Sequence, residues 1–340
     1  MRALKALIIG AVVAGITSFA SPTSAVVSWE FSQDSVSLGL TGVSPHVERT
    51  GSADRLWYPG GTEGTVASDC NDAGSCTRVA LTSRLGNDFT AVTLADGTRR
   101  AYFVDMSPNA GTKTVASAAC TTSDCLGVGL ATPIASDVQV SKDEKAWGVP
   151  DAVVLPDGRV RVYLVVSPVM TSSCPEKVVS YISNDGVSFT KEPGYRLEGG
   201  YVDTEVLRAK DGDWVMILAD IACTASNNQK LFVTTSTDGL KWAEPQVLTG
   251  PGEFKLDPTG YEVSTNVFRI YYAAGNPASA NPSIKRGILR IKQTPAGGVG
   301  VTKTPTATTP ASKSKSITCV KGKTVRKVTG TTCPKGFKKK

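Results

Sequence analysis

The chain contains one histidine among its 340 residues. That scarcity excludes histidine-rich metal centres and leaves His46 as the only imidazole available for acid–base work. There is no Gly-rich phosphate loop, no His-Glu-x-x-His helix and no Gly-x-Ser-x-Gly elbow. Their absence removes the commonest nucleotide-binding, metallopeptidase and serine-hydrolase readings. Beyond the first 25 residues no run approaches the roughly 20 apolar residues that a spanning helix needs, and helical periodicity is hard to find. The region between the two ends lacks the basic stripe with interleaved aromatics of a nucleic-acid binder, so no nucleic acid is expected as a partner. Acidic residues are missing altogether from 303–340, a segment that holds 11 lysines and arginines.

That last absence reshapes the charge. The formal net charge is +7, yet residues 26–302 carry 24 basic groups against all 30 acids. An acidic body and a strongly basic tail are therefore joined in one chain. At the other end, Arg2 and Lys5 precede the apolar run Ala6 to Ala20, with small residues at Ser18/Ala20 and Thr23/Ala25. This reads as a secretory signal cleaved after Ala20 or Ala25, which predicts an exported protein with no membrane span after cleavage. Eight cysteines suit an oxidising compartment. Proximity suggests Cys70 with Cys76, Cys120 with Cys125 and Cys319 with Cys333, leaving Cys174 and Cys223 as a fourth pair. The expected divisions are a signal at 1–25, a β domain at 26–293, a Pro/Thr/Ser-rich linker at 294–316 and a basic tail at 317–340.

What fills the β domain is a repeat. Ser183-Asn-Asp185-Gly186-Val-Ser-Phe189 returns with all its parts as Ser236-Thr-Asp238-Gly239-Leu-Lys-Trp242. Weaker copies begin at Ser32 and Ser141, and Ser83 to Phe89 keeps the length without the aspartate. Successive copies start 51, 58, 42 and 53 residues apart. The turn has a mechanism: serine and aspartate oxygens accept backbone N–H groups, glycine permits positive φ, and the aromatic drops into the core. Each unit also carries an alternating strand, an Asp-Gly hairpin or its relic, and a return strand. The clearest is Asp151 through Asp157-Gly158 to Tyr163. A period near 50 residues fits four short strands, one propeller blade per unit. The expected fold is all-β, a five-bladed β-propeller, with Val26 to Phe31 closing the ring against the last blade.

These turns resemble the Asp-box of sialidases and related propellers. The Pro-Asp and Asp-Pro strand starts, with five repeats, resemble the five-bladed glycoside hydrolases of family 43. The tail from Ile317 to Lys340 is similar to short, basic, cysteine-containing ends of exported actinobacterial proteins. Asp-boxes are architectural and speak to fold more than to activity.

In a propeller the innermost strands converge on one axis. Counting back six residues from the hairpin aspartates selects Thr90, Asp151 and Glu205. Counting back twelve from Tyr58 and Tyr271 selects His46 and Thr259. Asp203 and Asp257, each two residues earlier, fall at the mouth of the funnel or cap turns there. Facing carboxylates are what glycoside hydrolysis requires. The family resemblance makes Glu205 the acid and Asp151 the residue that adjusts its pKa. It also expects a first-blade aspartate as base, where this chain has Ser44-Pro45-His46. His46 would have to take that role. Thr90, Thr259, Asp203 and Asp257 would contact substrate.

The first reading is thus a secreted, glycoside hydrolase-like protein acting on extracellular glycan or polysaccharide. The rival is a non-catalytic glycan-binding or cell-surface propeller. A third reading, a sialidase, would draw on Arg49, Arg161, Arg208 and Arg269 with Tyr271 near Glu262, but no Arg-Ile-Pro signature is present. No cofactor is called for, and the sequence leaves a metal ion on the axis open. Residues 303–340 are expected to hold a monomeric protein at the surface through anionic wall polymer or lipid.

Overall fold

The computed structural model describes residues 28–60, 64–82, 85–105, 114–138, 144–168, 176–221, 229–276, 282–292, 316–321, 324–329, 333, 335 and 337–339. It divides into two compact units, Met1–Gln293 and Thr294–Lys340. Among the described residues there is no helix.

The larger unit begins with β1 (Trp29–Gln33), followed by five antiparallel sheets in chain order. Blade one holds β2 (His46–Thr50), β3 (Ala53–Pro59), β4 (Thr65–Cys70) and β5 (Cys76–Thr82). Blade two holds β6 (Asn87–Thr93), β7 (Arg99–Asp105), β8 (Thr114–Ala119) and β9 (Thr132–Pro133). Blade three has β10 (Glu144–Val154), β11 (Val160–Pro168) and β12 (Lys177–Ser183), with the short β13 (Thr190–Lys191) and β14 (Leu197–Glu198) both pairing β12. Blade four is β15 (Tyr201–Arg208), β16 (Trp214–Asp220), β17 (Leu231–Ser236) and β18 (Gln246–Val247). Blade five is β19 (Phe254–Ser264), β20 (Val267–Gly275) and β21 (Ser283–Ile291), completed by β1 from the start of the unit, with Trp29 opposite Ile291 and Gln33 opposite Gly287. The innermost strands β2, β6, β10, β15 and β19 touch in a closed ring. The expected five blades and the expected closure by the N-terminal strand are both present.

The second strand of blade four reads as a continuous apolar run up to Asp220. Along β16, Trp214 to Ala219 are all buried. Burying Met216, Ile217 and Leu218 contributes roughly 1.5–3 kcal/mol each. The Ser-x-Asp turns supply the seams between blades. Ser183 Oγ accepts the N–H of Gly186 at 2.9 Å, and Asp185 Oδ1 accepts those of Val187 and Ser188 at 2.8 and 3.0 Å. Those two N–H groups hold the Asp185 carboxyl down at about 2. Ser236 and Asp238 repeat the pattern. Each turn then receives a tyrosine from the preceding blade: Tyr102 donates to the Gly186 carbonyl at 2.8 Å, and Tyr163 to that of Gly239 at 2.7 Å. Of the other copies, residues 139–143 and 83–84 lie outside the described residues.

Between blades five and one the seam is ionic instead. Asp54 is fully buried and accepts Tyr261 and Tyr271 hydroxyls at 2.6 Å each, Arg49 at 2.7 Å and Arg269 at 3.3 Å.

Cys70–Cys76 joins β4 to β5, and Cys120–Cys125 closes the turn after β8. Cys174 and Cys223 lie outside the described residues, and so does the predicted signal. Among the described residues no cysteine is free, and no helix is long and apolar enough to cross a membrane.

The smaller unit is a three-stranded sheet of β22 (Ser316–Lys321), β23 (Thr324–Thr329) and β24 (Lys338–Lys339), with β22 central. Cys319 is buried in it and bonded to Cys333, while Lys321, Lys335, Lys338 and Lys339 are exposed.

Candidate functional site

One backbone feature recurs in every blade and places the site. Ser44, Asp88, Val149, Asp203 and Asp257 have φ of 47, 50, 48, 53 and 49°, the left-handed region that non-glycine residues rarely occupy. In blades two to five each lies within a register shift of the innermost strand, between Asn87 and Thr90, Gly148 and Asp151, Val202 and Glu205, and Leu256 and Thr259. Such a bulge re-aims the side chains beside it. Two residues on stand His46, Thr90, Asp151, Glu205 and Thr259, the set that the repeat count selected. Blade one departs by one residue: His46 pairs with Trp57, not Tyr58, because its hairpin is one residue shorter.

These two tiers surround a cavity of about 30 Å³ on the axis. His46, Thr90, Asp151, Asp203, Glu205 and Asp257 all line it, whereas Thr259 does not and instead hydrogen-bonds to Glu205. The space suits a water molecule or two, far below the ~300 Å³ at which small-molecule pockets begin. Asp88 and Thr204 also line it and were missed by the sequence count. Asp88 was within reach, since it stands two residues before Thr90 just as Asp203 stands before Glu205.

Hydrogen bonds run from blade to blade around this cavity. In the left-handed tier Asp203 Oδ2 accepts the Asp257 N–H at 3.3 Å, and Asp257 Oδ2 accepts the Ser44 N–H at 2.8 Å. The Ser44 hydroxyl donates to Asp88 Oδ1 at 2.7 Å, and Asp88 Oδ2 accepts the Val149 N–H at 3.3 Å. Only the step from Val149 to Asp203 has no such link, because valine carries no acceptor. In the second tier Asp151 accepts the Thr90 hydroxyl at 3.3 Å and the Val206 N–H at 2.6 Å. Glu205 accepts the Thr259 hydroxyl at 3.3 Å and the Gly260 N–H at 2.9 Å, and Thr259 Oγ1 accepts the Val47 N–H at 3.2 Å. Each acceptor takes an amide N–H of the next blade, so these side chains lace the ring together.

Burial dominates the electrostatics. It pushes the Asp151 and Asp203 carboxyls up to about 7, the latter helped by the charge of Asp88. Glu205 is raised well above the ordinary range by burial and then by Asp151, and Asp257 by burial, Asp203 and Asp88. His46 faces Glu48 with Nε2 at 3.3 Å from Oε1 and packs against Trp57 and Phe89. Among the described residues no group of three or more His, Cys, Asp or Glu side chains is arranged to hold a metal ion.

The arginines of the sialidase reading do not converge. Arg49 and Arg269 meet Asp54 and Asp72, Arg161 pairs with Glu192 at 2.8 Å, and Arg208 lies over the Trp214 ring. None lines the cavity. Tyr271 donates to Asp54, whereas Glu262 accepts the N–H groups of Lys210 and Asn266.

No family model and no curated protein matches the chain. Solved structures do match its fold. A thermostable family-43 glycoside hydrolase superposes with a TM-score of 0.57 at 12% identity, over 79% of this chain and 99% of that one. An endo-arabinase from Bacteroides thetaiotaomicron gives 0.55 at 12%, over 78% and 99%. An N-acetylgalactosamine deacetylase from F. plautii gives 0.52 at 14%, over 77% and 93%. The chain is therefore similar in fold to five-bladed, family 43-like glycoside hydrolase propellers.

Proposed function

We propose that this chain is a secreted glycan-binding propeller built on the glycoside hydrolase scaffold, without hydrolysis at its axis. One observation carries the reading: the carboxylates that hydrolysis would use are engaged with backbone amides of the next blade around a cavity of about 30 Å³. A sugar hydroxyl that displaced those amides would leave them buried and unpaired, at roughly 1–3 kcal/mol each. An enzyme also needs a base opposite Glu205, and the first-blade position offers His46, turned toward Glu48. Disulfides and the absence of a membrane-spanning helix among the described residues are compatible with an extracellular protein. The basic tail supplies attachment to anionic wall polymer or lipid, and its exposed lysines support that role.

The second reading, hydrolysis with Glu205 as proton donor, is favoured by one observation. Burial and then the neighbouring Asp151 raise the Glu205 carboxyl well above the ordinary carboxylate range, the direction a general acid requires. Asp151 would then adjust its pKa, His46 would act as base, and Asp203, Asp257, Thr90 and Thr259 would border the sugar. A glycan array run beside an activity screen on arabinan, xylan and sialosides separates the two. The proposal expects saturable binding of at least one glycan with no released sugar. Turnover of any of them overturns it.

A further inference from the structure

The axial cavity holds about 30 Å³, yet a cavity of about 350 Å³ lies at the outer rim of blade five. That size falls within the ~300–1,000 Å³ of small-molecule sites. Its origin is readable in the chain. After β1, the outermost strand of the blade, residues 34–41 run on as a strap beside β21. Asp34 donates its N–H to the Arg286 carbonyl at 2.9 Å, and the Leu40 carbonyl accepts the Ile284 N–H at 3.0 Å. Six positions separate Asp34 from Leu40 on the strap, but only two separate Arg286 from Ile284 on β21. The four surplus residues must arch away from the sheet, and the cavity is bounded by that arch and by Ser283 to Lys285.

The arch is braced at both ends. Arg286 donates to the Asp34 carboxylate at 2.7 Å and to the Asn71 and Asp72 carbonyls of blade one at 3.0 and 2.7 Å. Val36 packs so closely on Gly74 that a Cβ there would stand 2.5 Å from it. Leu38 is buried with Val47, Leu56 and Tyr271. The cavity is therefore formed before any ligand arrives, which spares the cost of ordering a loop.

Its lining selects the ligand. Ser35, Ser37, Thr41 and Ser283 are exposed there, and their hydroxyls both donate and accept hydrogen bonds. Val36, Leu38 and Ile284 supply aliphatic carbon. The two charged side chains of the lining are already matched, Asp34 by Arg286 and Lys285 by both oxygens of Glu253 at 2.8 Å. Neither is left to attract an ionic ligand, whereas hydroxyls beside aliphatic carbon complement the hydroxyls and C–H faces of an uncharged sugar ring. We infer that this rim cavity binds one uncharged sugar unit of a glycan chain. The inference rests on the glycan-binding reading and gives it a place off the axis. At the rim, the neighbouring units of the chain have solvent to run into.

Native electrophoresis of the full chain through gels containing arabinan, xylan or a sialylated mucin tests this, each mobility being taken relative to a polymer-free gel. Ser37→Cys is labelled after folding with fluorescein maleimide, so the cavity is filled without asking a filled variant to fold. Ser35→Cys on the same arch repeats the test, and Ser52→Cys, in the exposed turn between β2 and β3, is the labelled control. Arabinan or xylan should retard the wild type and labelled Ser52→Cys. Labelled Ser37→Cys and Ser35→Cys should lose the retardation. Equal behaviour of arch and control variants, while the wild type is retarded, would overturn the rim site and leave the glycan-binding reading standing. Retardation by the sialylated mucin alone would overturn the uncharged class. No retardation of the wild type by any polymer would end both the inference and the reading beneath it.

Discussion

Replacing Asp54 by asparagine tests how the ring is closed. The side chain is fully buried and takes two tyrosine hydroxyls at 2.6 Å and two guanidiniums at 2.7 and 3.3 Å. Hydrogen bonds to a charged group contribute about 1.5–3 kcal/mol each, but four on one acceptor are not additive. Loss of one partner from a buried ionic cluster costs about 3–5 kcal/mol, and that is the better guide. Asp72 still reaches Arg49 and Arg269, so the expected loss is about 4 kcal/mol, a large part of a typical 5–15. For a domain of this size the melting temperature should fall by roughly 8–16 °C. Urea unfolding at pH 7 gives the number, and a double-mutant cycle with Tyr271→Phe isolates the pair. The tyrosine and arginine bonds hold the Asp54 carboxyl below its ordinary value despite burial. Its contribution is therefore complete above the unfolded aspartate pKa and disappears as pH falls through the folded one, the reverse of the axial acids. A loss under about 1 kcal/mol at pH 7 would refute the seam.

Three further outcomes follow from other parts of the chain. Gly239 has φ of 70°, and a Cβ there would stand 2.8 Å from the Tyr163 hydroxyl, so Gly239→Ala should cost about 1–3 kcal/mol in calorimetry; a neutral result would contradict the inter-blade role of the turn. Deleting residues 303–340 removes 11 positive charges and should release surface-held protein into the medium, as high salt should for the full chain; retention unaffected by either would end the attachment idea. Thiol titration of denatured, unreduced protein should find no free cysteine, and two per chain would leave Cys174 and Cys223 unpaired.

The blades were legible because local chemistry marks them. Asp96-Gly97, Asp157-Gly158 and Asp211-Gly212 do form the hairpins, with glycine φ of 84, 86 and 97°, and each aspartate accepts the N–H two residues on. Counting from those hairpins found the axial residues in blades two to four, since the bulge recurs at one distance. In blade one the count from Tyr58 reached His46, although β2 pairs that residue with Trp57 through a shorter turn. What the axial carboxylates do was not legible. Asp151 and Glu205 look alike in sequence as catalysts or as acceptors of a neighbouring blade's amide, and the Val206 and Gly260 N–H groups that they accept lie 55 positions away. Asp88 was overlooked although it stands two residues before Thr90, the offset that picked out Asp203 before Glu205. The ionic seam at Asp54 was equally hidden, as three of its four partners, Tyr261, Arg269 and Tyr271, lie more than 200 positions away.

On the proposed function, the axial carboxylates hold blades together and do not cleave glycans. Glu205→Gln tests it most directly, with stability and sugar release measured on the same preparations. The amide keeps an oxygen for the Gly260 N–H and removes the proton that catalysis would need. Neither wild type nor variant should release sugar, glycan binding should be unchanged, and the variant should fold with similar stability. Wild-type hydrolysis that falls by roughly 10²–10⁴-fold in Glu205→Gln, the usual size of a general-acid contribution, would contradict it.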